Sequence, residues 1–512
     1  SASASNDNQI TYDTHGPDVS FSSSAADPTA SSPVSVTVTF SENVSDFTSA
    51  DVTLSNATLS NFNGSGASYT FDLTPSGQGA FSADIADTRA HDAAGNPNNA
   101  AAQFSRTYDS INPTVSLNSS SSDPTNSTPI AVSVTFSESV SGFTASDVTL
   151  ANATLSDFSG SADSYQFVLT PAGQGTVTAD ITAGAAADAA GNPNAAAAQF
   201  SRTYDSQNPN VFIGSAVSSP TNNSPFAVEV TFSEDVTDFS NADVTLSNAA
   251  LSNFSGSGAA YSFNVTPAAE GIVTIDIAAG AAYDAAGNPN NAAAQFSRTY
   301  DSNAPVITFS SASPASTNSA PIAVNVSISE SVSDFTSADI TLGNATLSDF
   351  SGSGDQYSFN LTPAGEGAVT ADIAANAVHD AAGNGNLAAD QFTRTYDTTG
   401  PTIGLSSTSS DPTNTAPIPV SVNFSETVTG FTADDITVTN GSAGNLQGSG
   451  AAYTFDLTPA GQGLVSAEVA AGSVTDAAGN SNLDSASFTR TYDSARPTVV
   501  LSTSAGSATN LA

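Results

Sequence analysis

Carboxylate and amide side chains recur at fixed places along this 512-residue chain. Oxygen atoms from carboxylates, amides and backbone carbonyls are the ligands that calcium prefers, roughly six to eight of them per ion. The recurring set therefore predicts a divalent cation site, calcium by preference, that is built once per copy. In chain order the five sets are Asp13, Glu42, Asp51, Asp92 and Asn96; Asp109, Glu138, Asp147, Asp188 and Asn192; Asp205, Glu234, Asp243, Asp284 and Asn288; Asp301, Glu330, Asp339, Asp380 and Asn384; and Asp397, Glu426, Asp435, Asp476 and Asn480.

A Tyr-Asp dipeptide sets the period of the copies, and its aspartates are spaced 96 residues apart from Asp13 to Asp493. A fixed period of this length indicates one folded unit copied in tandem. A unit of this size is enough for a small domain with its own core. We expect five domains at 14–109, 110–205, 206–301, 302–397 and 398–493, with the end of a preceding unit or a tail at 1–13 and an incomplete sixth unit at 494–512.

Alternating apolar residues in the second copy predict the elements that position these side chains. Ile130, Val132, Val134 and Phe136 alternate with small side chains, which is typical of a strand with one buried face. Clusters of Gly, Asn and Pro separate the apolar runs and predict turns. Such short strands with regular turns predict an all-β fold, a two-sheet β-sandwich. The seven predicted strands of this copy are 114–117, 130–136, 147–150, 153–158, 165–169, 176–181 and 200–205.

Strand counting predicts where the polar sets meet. In an alternating sandwich the second strand ends at the pole where the first began, and this places Glu138 at that N-terminal pole. Asp147 opens the third strand there, the loop 188–192 lies there, and Asp109 enters there. The five side chains are therefore expected at the joint between consecutive copies. The alternative is turn chemistry without a metal, in which Asp-Ala-Ala-Gly-Asn forms a turn and Asp147 caps its own backbone.

Composition excludes several classes of protein and site. The chain has 48 acidic residues, seven arginines and no lysine, and its formal net charge is −41. Such a charge repels nucleic acid and anionic membranes and attracts divalent cations, although it also serves simply to hydrate the surface. The absence of cysteine excludes disulfides, thiolate metal sites and a cysteine nucleophile. No apolar run is long enough for a membrane helix, and residues 1–7 do not form a signal peptide.

Aromatic and arginine positions also recur. Most of the aromatic positions lie on alternating strand faces, which favours sandwich core over a sugar-binding platform. Five arginines occupy one position in the copies, and we expect each to pair with a carboxylate of its own sheet; a ligand-binding row is the alternative. The three histidines do not recur in every copy, so a repeated zinc site or Ser/His/Asp triad is excluded. The arginines are Arg106, Arg202, Arg298, Arg394 and Arg490.

Ordered motifs give the chain a family likeness. Phe136-Ser137-Glu138, the run 142–150, Asp-Ala-Ala-Gly-Asn at 188–192 and Arg-Thr-Tyr-Asp at 202–205 recur in order in the copies. Together they resemble the bacterial Ig-like repeats of giant calcium-binding surface adhesins, over residues 14 to about 500. The resemblance implies Ig-like sandwiches strung end to end, secretion to the cell surface or extracellular matrix, and calcium ions that stiffen the joints. With three linker residues before each proline, five such domains would form a rod of roughly 200 Å.

These patterns favour a structural function. Because every motif recurs, a unique catalytic site is not expected, and the chain is interpreted as a stalk or filament segment rather than an enzyme. Its expected partners are neighbouring repeats of the same chain. One alternative is a subunit of a head-to-tail fibre of identical chains, in which a terminal strand such as 497–501 completes a neighbour's sheet. Another is a glycan- or protein-binding module that uses loops at the sandwich poles. The partial units at both ends favour a segment of a longer array.

Overall fold

The computed structural model describes residues 11–483 and 487–502. Those parts of the predicted terminal units that fall at 1–10 and 503–512 lie outside the described residues. The described residues of the incomplete sixth unit, 494–502, contain no strand. As predicted, the fold is all-β, in five tandem Ig-like repeats. The helical elements of the described chain are 3-10 turns at Ser49–Asp51, Ala145–Asp147, Asn241–Asp243, Ser337–Asp339 and Ala433–Asp435.

The strands follow the same order in each repeat. The first repeat has β1 (Val19–Ser22), β2 (Val34–Val44), β3 (Val52–Ser55), β4 (Ala57–Pro75), β5 (Gly79–Ile85) and β6 (Phe104–Tyr108). The second has β7 (Val115–Asn118), β8 (Ile130–Val140), β9 (Val148–Ala151), β10 (Ala153–Pro171), β11 (Gly175–Ile181) and β12 (Phe200–Tyr204). The third has β13 (Val211–Gly214), β14 (Phe226–Val236), β15 (Val244–Ser247), β16 (Ala249–Pro267), β17 (Gly271–Ile277) and β18 (Phe296–Tyr300).

The last two repeats each contain one more strand. The fourth has β19 (Ile307–Ser310), β20 (Ser316–Thr317), β21 (Ile322–Val332), β22 (Ile340–Gly343), β23 (Ala345–Pro363), β24 (Gly367–Ile373) and β25 (Phe392–Tyr396). The fifth has β26 (Ile403–Ser406), β27 (Ile418–Phe424), β28 (Ile436–Thr439), β29 (Gly441–Ser449), β30 (Ala452–Pro459), β31 (Gly463–Val469) and β32 (Phe488–Tyr492).

The fourth and fifth predicted strands of the second repeat form one continuous strand, β10. It folds back on itself near Gly160, whose φ of 131° is a conformation that glycine adopts readily and other residues rarely do. A Cβ at this position would also lie 2.4 Å from the Ser164 carbonyl oxygen. In the fifth repeat the same two arms are separate strands, β29 and β30, paired antiparallel. Seven strands are therefore obtained in the first three repeats only when the two arms of this hairpin are counted separately.

Two sheets face each other in each repeat. In the second repeat one sheet has the order β7-β8-β10 and the other β9-β11-β12. The register of β8 against β10 pairs Val132 with Phe167, and both side chains are buried. A parallel bridge between Thr125 and Tyr204 joins the segment after β7 to the last strand. The predicted one-sided alternation therefore builds the core between the sheets, as the burial of Ile130, Val132, Val134 and Phe136 shows.

The recurring aromatic residues are part of this core. The Phe136 ring lies edge-on to that of Phe143, with a centroid distance of 5.3 Å, and Phe143 lies edge-on to Tyr165 at 5.1 Å. Phe167 and Phe200 are buried as well. These rings are not free to form a sugar-binding platform, because they fill the space between the two sheets.

The predicted pairing of the arginines with carboxylates is wrong. The Arg202 guanidinium lies over the Phe200 ring, with Cζ 5.0 Å from the centroid. Its nitrogen atoms donate to the backbone carbonyls of Ser119, Ser121 and Ser201. The other four arginines lie over the equivalent phenylalanine rings. Along the described chain the ion pairs are both His–Asp pairs, so these arginines instead join the last strand to the segment that follows the first.

Candidate metal centre

Three carboxylates meet at the N-terminal pole of each repeat, as strand counting predicts. In every group one oxygen from each residue lies within 4.8 Å of the other two. One aspartate comes from the linker, the glutamate from the end of the second strand, and the other aspartate from the loop before the last strand. The five groups are Asp13, Glu42 and Asp92; Asp109, Glu138 and Asp188; Asp205, Glu234 and Asp284; Asp301, Glu330 and Asp380; and Asp397, Glu426 and Asp476.

The loop aspartate is held rigidly by its own turn. Asp188 is buried, and its Oδ1 accepts a hydrogen bond of 2.8 Å from the backbone N–H of Asn192. Its Oδ2 accepts another of 2.8 Å from the Asn192 side chain. Backbone bonds from Asp188 N to Asn192 O and from Gly191 N to Asp188 O close the turn. The turn chemistry proposed as an alternative to a metal site is therefore present, and it positions a carboxylate of that site.

The linker aspartate is fixed by a local turn of the Asx type. Asp109 Oδ1 accepts from the backbone N–H of Ile111 at 3.0 Å. The Asn192 side chain donates to the backbone carbonyl of Asp109 at 2.9 Å, which ties the linker to the downstream domain. The side-chain nitrogen of Asn192 faces the acidic groups. Asn192 therefore contributes to the site by holding Asp188 and Asp109 in place. The role of the five asparagines as direct ligands stays a prediction.

The fourth predicted carboxylate of each set lies outside these groups. Asp147 Oδ2 accepts hydrogen bonds of 2.7 Å from both the backbone N–H and the side-chain hydroxyl of Thr144. The carboxylate therefore caps the 3-10 turn that precedes β9, the alternative that the sequence left open. The structure gives the same bonds to Asp51, Asp243, Asp339 and Asp435.

Burial and mutual repulsion shift the pKa of the glutamate in each group. Desolvation first, and then the charges of Asp109 and Asp188, raise the pKa of Glu138 above its ordinary value of 4.5. The same two causes raise the pKa of Glu42, Glu234, Glu330 and Glu426. In the first repeat burial raises the pKa of Asp92, but hydrogen bonds from Asn96, Ala94 and Gly95 outweigh it, and the net pKa is lowered. Each pole thus holds a glutamate whose ionisation is disfavoured.

The donor set fits a hard cation such as calcium. Calcium–oxygen distances of about 2.3–2.6 Å place opposite ligands about 5 Å apart, which matches oxygen atoms within 4.8 Å of one another. The donors are all carboxylate oxygens, and such ligands suit calcium, magnesium and manganese rather than soft metals. A cation among them would also offset the repulsion that raises the glutamate pKa. Each group could therefore hold a metal ion.

Sequence reasoning missed one residue that supports the linker. Gln174, in the turn between β10 and β11, donates through Nε2 to Ser206 Oγ at 3.0 Å and accepts from Ser206 N at 3.1 Å. In the third repeat Glu270 takes this place and accepts from the Ser302 backbone N–H, and its charge also contributes to the raised pKa of Glu330. The sequence signal that could have identified this residue is the recurrence of Gln or Glu at the same position in every repeat. The five positions are Gln78, Gln174, Glu270, Glu366 and Gln462.

The sequence places the chain in a family. The bacterial Ig-like domain family matches residues 13–108, 109–204, 205–300, 301–396 and 397–509. The chain belongs to this family, and it is a tandem array of its domains. Among curated proteins, none matches the chain. Within the described residues, no helix has the length and apolar character needed to cross a membrane.

Similarity to solved structures is low. Invasin, described as a bacterial integrin-binding protein, is 10% identical with a TM-score of 0.31, over 76% of this chain and 82% of invasin. A point mutant of Salmonella alpha-2-macroglobulin is 6% identical with a TM-score of 0.14, over 90% of this chain and 39% of that protein. The methylamine-reacted form is 7% identical, also with a TM-score of 0.14, over 94% and 40%. The assignment to the family therefore rests on the sequence match.

Proposed function

We propose that this chain is a structural segment of a bacterial surface protein, a stalk whose joints are stiffened by calcium. The observation that carries the proposal is the composition of the five carboxylate groups, each of which joins a linker aspartate to two carboxylates of the next domain. A repeated site at every joint suits a mechanical function, because its effect grows with the number of repeats. The recurrence of all motifs also argues against an enzyme with one active site.

The stiffening follows from the position of the linker aspartate. Asp109 precedes the three residues that lead to Pro113, and Glu138 and Asp188 belong to the folded domain behind that proline. When bound, the ion supplies electrostatic attraction to all three carboxylates at once. The linker is then held against the domain at Asp109 by the ion and by the Asn192 hydrogen bond. Fewer linker conformations remain, and consecutive domains keep a narrower range of angles.

The proposed location is outside the cell, at the surface or in the extracellular matrix. Calcium is available there, whereas the cytosol keeps it scarce. With a net charge of −41, identical chains repel one another, so lateral association would need bridging cations. Neighbouring repeats are the proposed partners, and the chain acts as a spacer that holds other parts of the parent protein at a distance.

Calorimetric titration of the full chain with calcium tests the proposal. The account predicts about five ions per chain, one for each group. Glu138→Gln removes one carboxylate that makes no bond in the turn, and we expect it to weaken one site and leave four. Asp163→Asn, an exposed carboxylate of the same repeat, is the matched control and should keep all sites. Equal titrations of the parent and the Glu138→Gln protein would overturn the assignment.

Magnesium distinguishes a specific site from diffuse attraction to an acidic surface. Magnesium demands a smaller, nearly octahedral shell at about 2.0–2.1 Å and sheds its water reluctantly. A site selective for calcium should therefore bind calcium in the presence of excess magnesium. Displacement of calcium by magnesium at equal concentration would favour general charge screening instead.

A further inference from the structure

Two side-chain amides connect consecutive repeats directly. Asn222, in the loop after the first strand of the third repeat, donates to Asn384 Oδ1 of the fourth repeat at 3.2 Å. Asn318 of the fourth repeat donates in the same way to Asn480 Oδ1 of the fifth at 2.9 Å. Each acceptor is the asparagine that ties its linker to the carboxylate group. We call this bond and its surroundings the interdomain amide contact.

The same asparagines pack on a glycine of the next repeat. A Cβ built on Gly383 would lie 3.6 Å from Asn222 Nδ2, and one on Gly479 would lie 3.7 Å from Asn318 Nδ2. Asn126 of the second repeat approaches Gly287 of the third repeat in the same manner, at 3.6 Å. The packing contact therefore recurs at the joints after the second, third and fourth repeats, and the hydrogen bond accompanies it at the last two of these joints. This contact is made by protein atoms alone and involves no bound ion.

The joint between the first and second repeats is different. Ala30 occupies the place of these asparagines in the first repeat, and an alanine side chain cannot donate a hydrogen bond. The facing glycine, Gly191, is open: a Cβ built there would meet no described atom within 4 Å apart from its chain neighbours. The linker bond from Asn192 to Asp109 is still present. This joint thus keeps its linker contacts but lacks the interdomain amide contact.

From these contacts we infer that the joints are unequal, and that the joint between the first and second repeats is the hinge of the array. The packing contact separates it from the other three joints, and the joints after the third and fourth repeats have the hydrogen bond as well. The loss of a hydrogen bond of this kind shifts the balance between docked and undocked domains severalfold. This inference goes beyond the proposed function, because the amide contact needs no bound ion.

Distance measurements between spin labels on the full chain test the inference. The protein has no cysteine, so introduced cysteines give unique labelling sites. Ser60→Cys with Ser156→Cys spans the first joint, and Ser252→Cys with Ser348→Cys spans the third, all at equivalent exposed positions. The account predicts a broader distance distribution across the first joint than across the third.

Two substitutions should reverse the difference in distribution width between the first and third joints. Asn222→Ala should broaden the distribution across the third joint to the width of the first, and Ala30→Asn should narrow the first. Asn223→Ala, at the exposed neighbouring asparagine, is the matched control and should change nothing. Equal widths in the parent protein, or widths that do not respond to either substitution, would overturn the inference.

Calcium and chelator separate this inference from the proposed function. If chelator leaves every width unchanged while the first joint stays broader, the amide contact stands and the calcium proposal fails. If chelator broadens the distance distributions of both label pairs but the two distributions always have equal widths, the calcium proposal stands and the hinge inference fails.

Discussion

The Asn192 side-chain nitrogen lies 2.9 Å from the backbone carbonyl oxygen of Asp109, an atom 83 residues earlier in the chain. The bond recurs in all five repeats, at distances of 2.8–3.2 Å. It positions the linker beside the carboxylate group before any ion binds. An ion that meets a preformed set of ligands loses less free energy to ordering them, so under the proposed function this bond would prepare each joint for the cation.

Removal of that amide should loosen the second repeat at its N-terminal pole. Asn192→Ala removes the side-chain donor to the Asp109 carbonyl and to Oδ2 of the buried Asp188, while the backbone bond to Asp188 Oδ1 stays, and the loss should cost about 1–3 kcal/mol. Hydrogen exchange of amides in the second repeat measures the change locally. Asn241→Ala, at an exposed asparagine, serves as the control. No change in exchange at the Asn192→Ala pole would show that the bond does not hold the linker.

The raised pKa of Glu138 predicts a dependence of stability on pH in the metal-free protein. A carboxyl whose pKa is higher in the folded state binds its proton more tightly when folded. The stabilisation that Glu138 contributes is therefore present at pH values below its ordinary pKa of 4.5. It is lost as the pH rises through the raised pKa of the folded state. Glu138→Gln should lose less stability than the parent as the pH rises above 4.5 and through the raised pKa of Glu138.

Calcium should change that pH profile, because the ion competes with the proton for the carboxylate. In excess calcium we expect stability to rise with pH over the same range. Thermal unfolding in chelator and in calcium, with Asp163→Asn as the control, measures both profiles. Identical profiles for the parent and the Glu138→Gln protein in chelator would contradict the proposed repulsion.

The two glutamates in the turns before the linkers should strengthen their joints toward calcium. Glu270 adds negative charge near Glu330, whereas Gln174 occupies the same place without charge. Glu270→Gln should weaken calcium binding at its joint by a factor of about two to five, and Gln174→Glu should strengthen its own joint by a similar factor. Titrations at low ionic strength measure these changes. Affinities unaffected in both variants would show that the turn charge does not reach the site.

The arginine on the last strand should stabilise its domain by stacking and backbone bonding. Arg202→Ala loses the contact with Phe200 and three hydrogen bonds to carbonyls, at a cost of about 1–2 kcal/mol. The stability of Arg202→Lys should lie between that of the parent and that of Arg202→Ala, because lysine keeps the charge but not the planar set of donors. Denaturation of both variants, with exposed Arg496→Ala as the control, measures the effect. A lysine variant as stable as the parent would show that charge alone matters.

The sequence predicted the fold and the meeting of three carboxylates because both follow from periodicity. The alternation along Ile130–Phe136 defines a buried face, and the alternation of strand direction then places Glu138 and Asp188 at one pole. Strand counting assigns a pole but not a direction for each side chain. It therefore could not show that Asp147 faces the backbone of Thr144 rather than the cluster.

The residues that the sequence misplaced depend on local geometry. Arg202 lies in an acidic chain, where a carboxylate partner is the simplest expectation, yet the nearby Phe200 ring and free carbonyls take its guanidinium. Contacts across the joint, such as that of Asn222 with Asn384, depend on how one domain sits on the next. No period within a single repeat encodes that relationship.

Small-angle scattering of the full chain, first in calcium and then in excess chelator, tests the central claim most directly. We predict an extended particle in calcium whose maximum dimension shortens on chelation, as the linkers gain freedom. The Glu138→Gln protein should show part of that change with calcium still present. A scattering profile that is the same in calcium and in chelator would contradict the account and leave the carboxylates as turn chemistry alone.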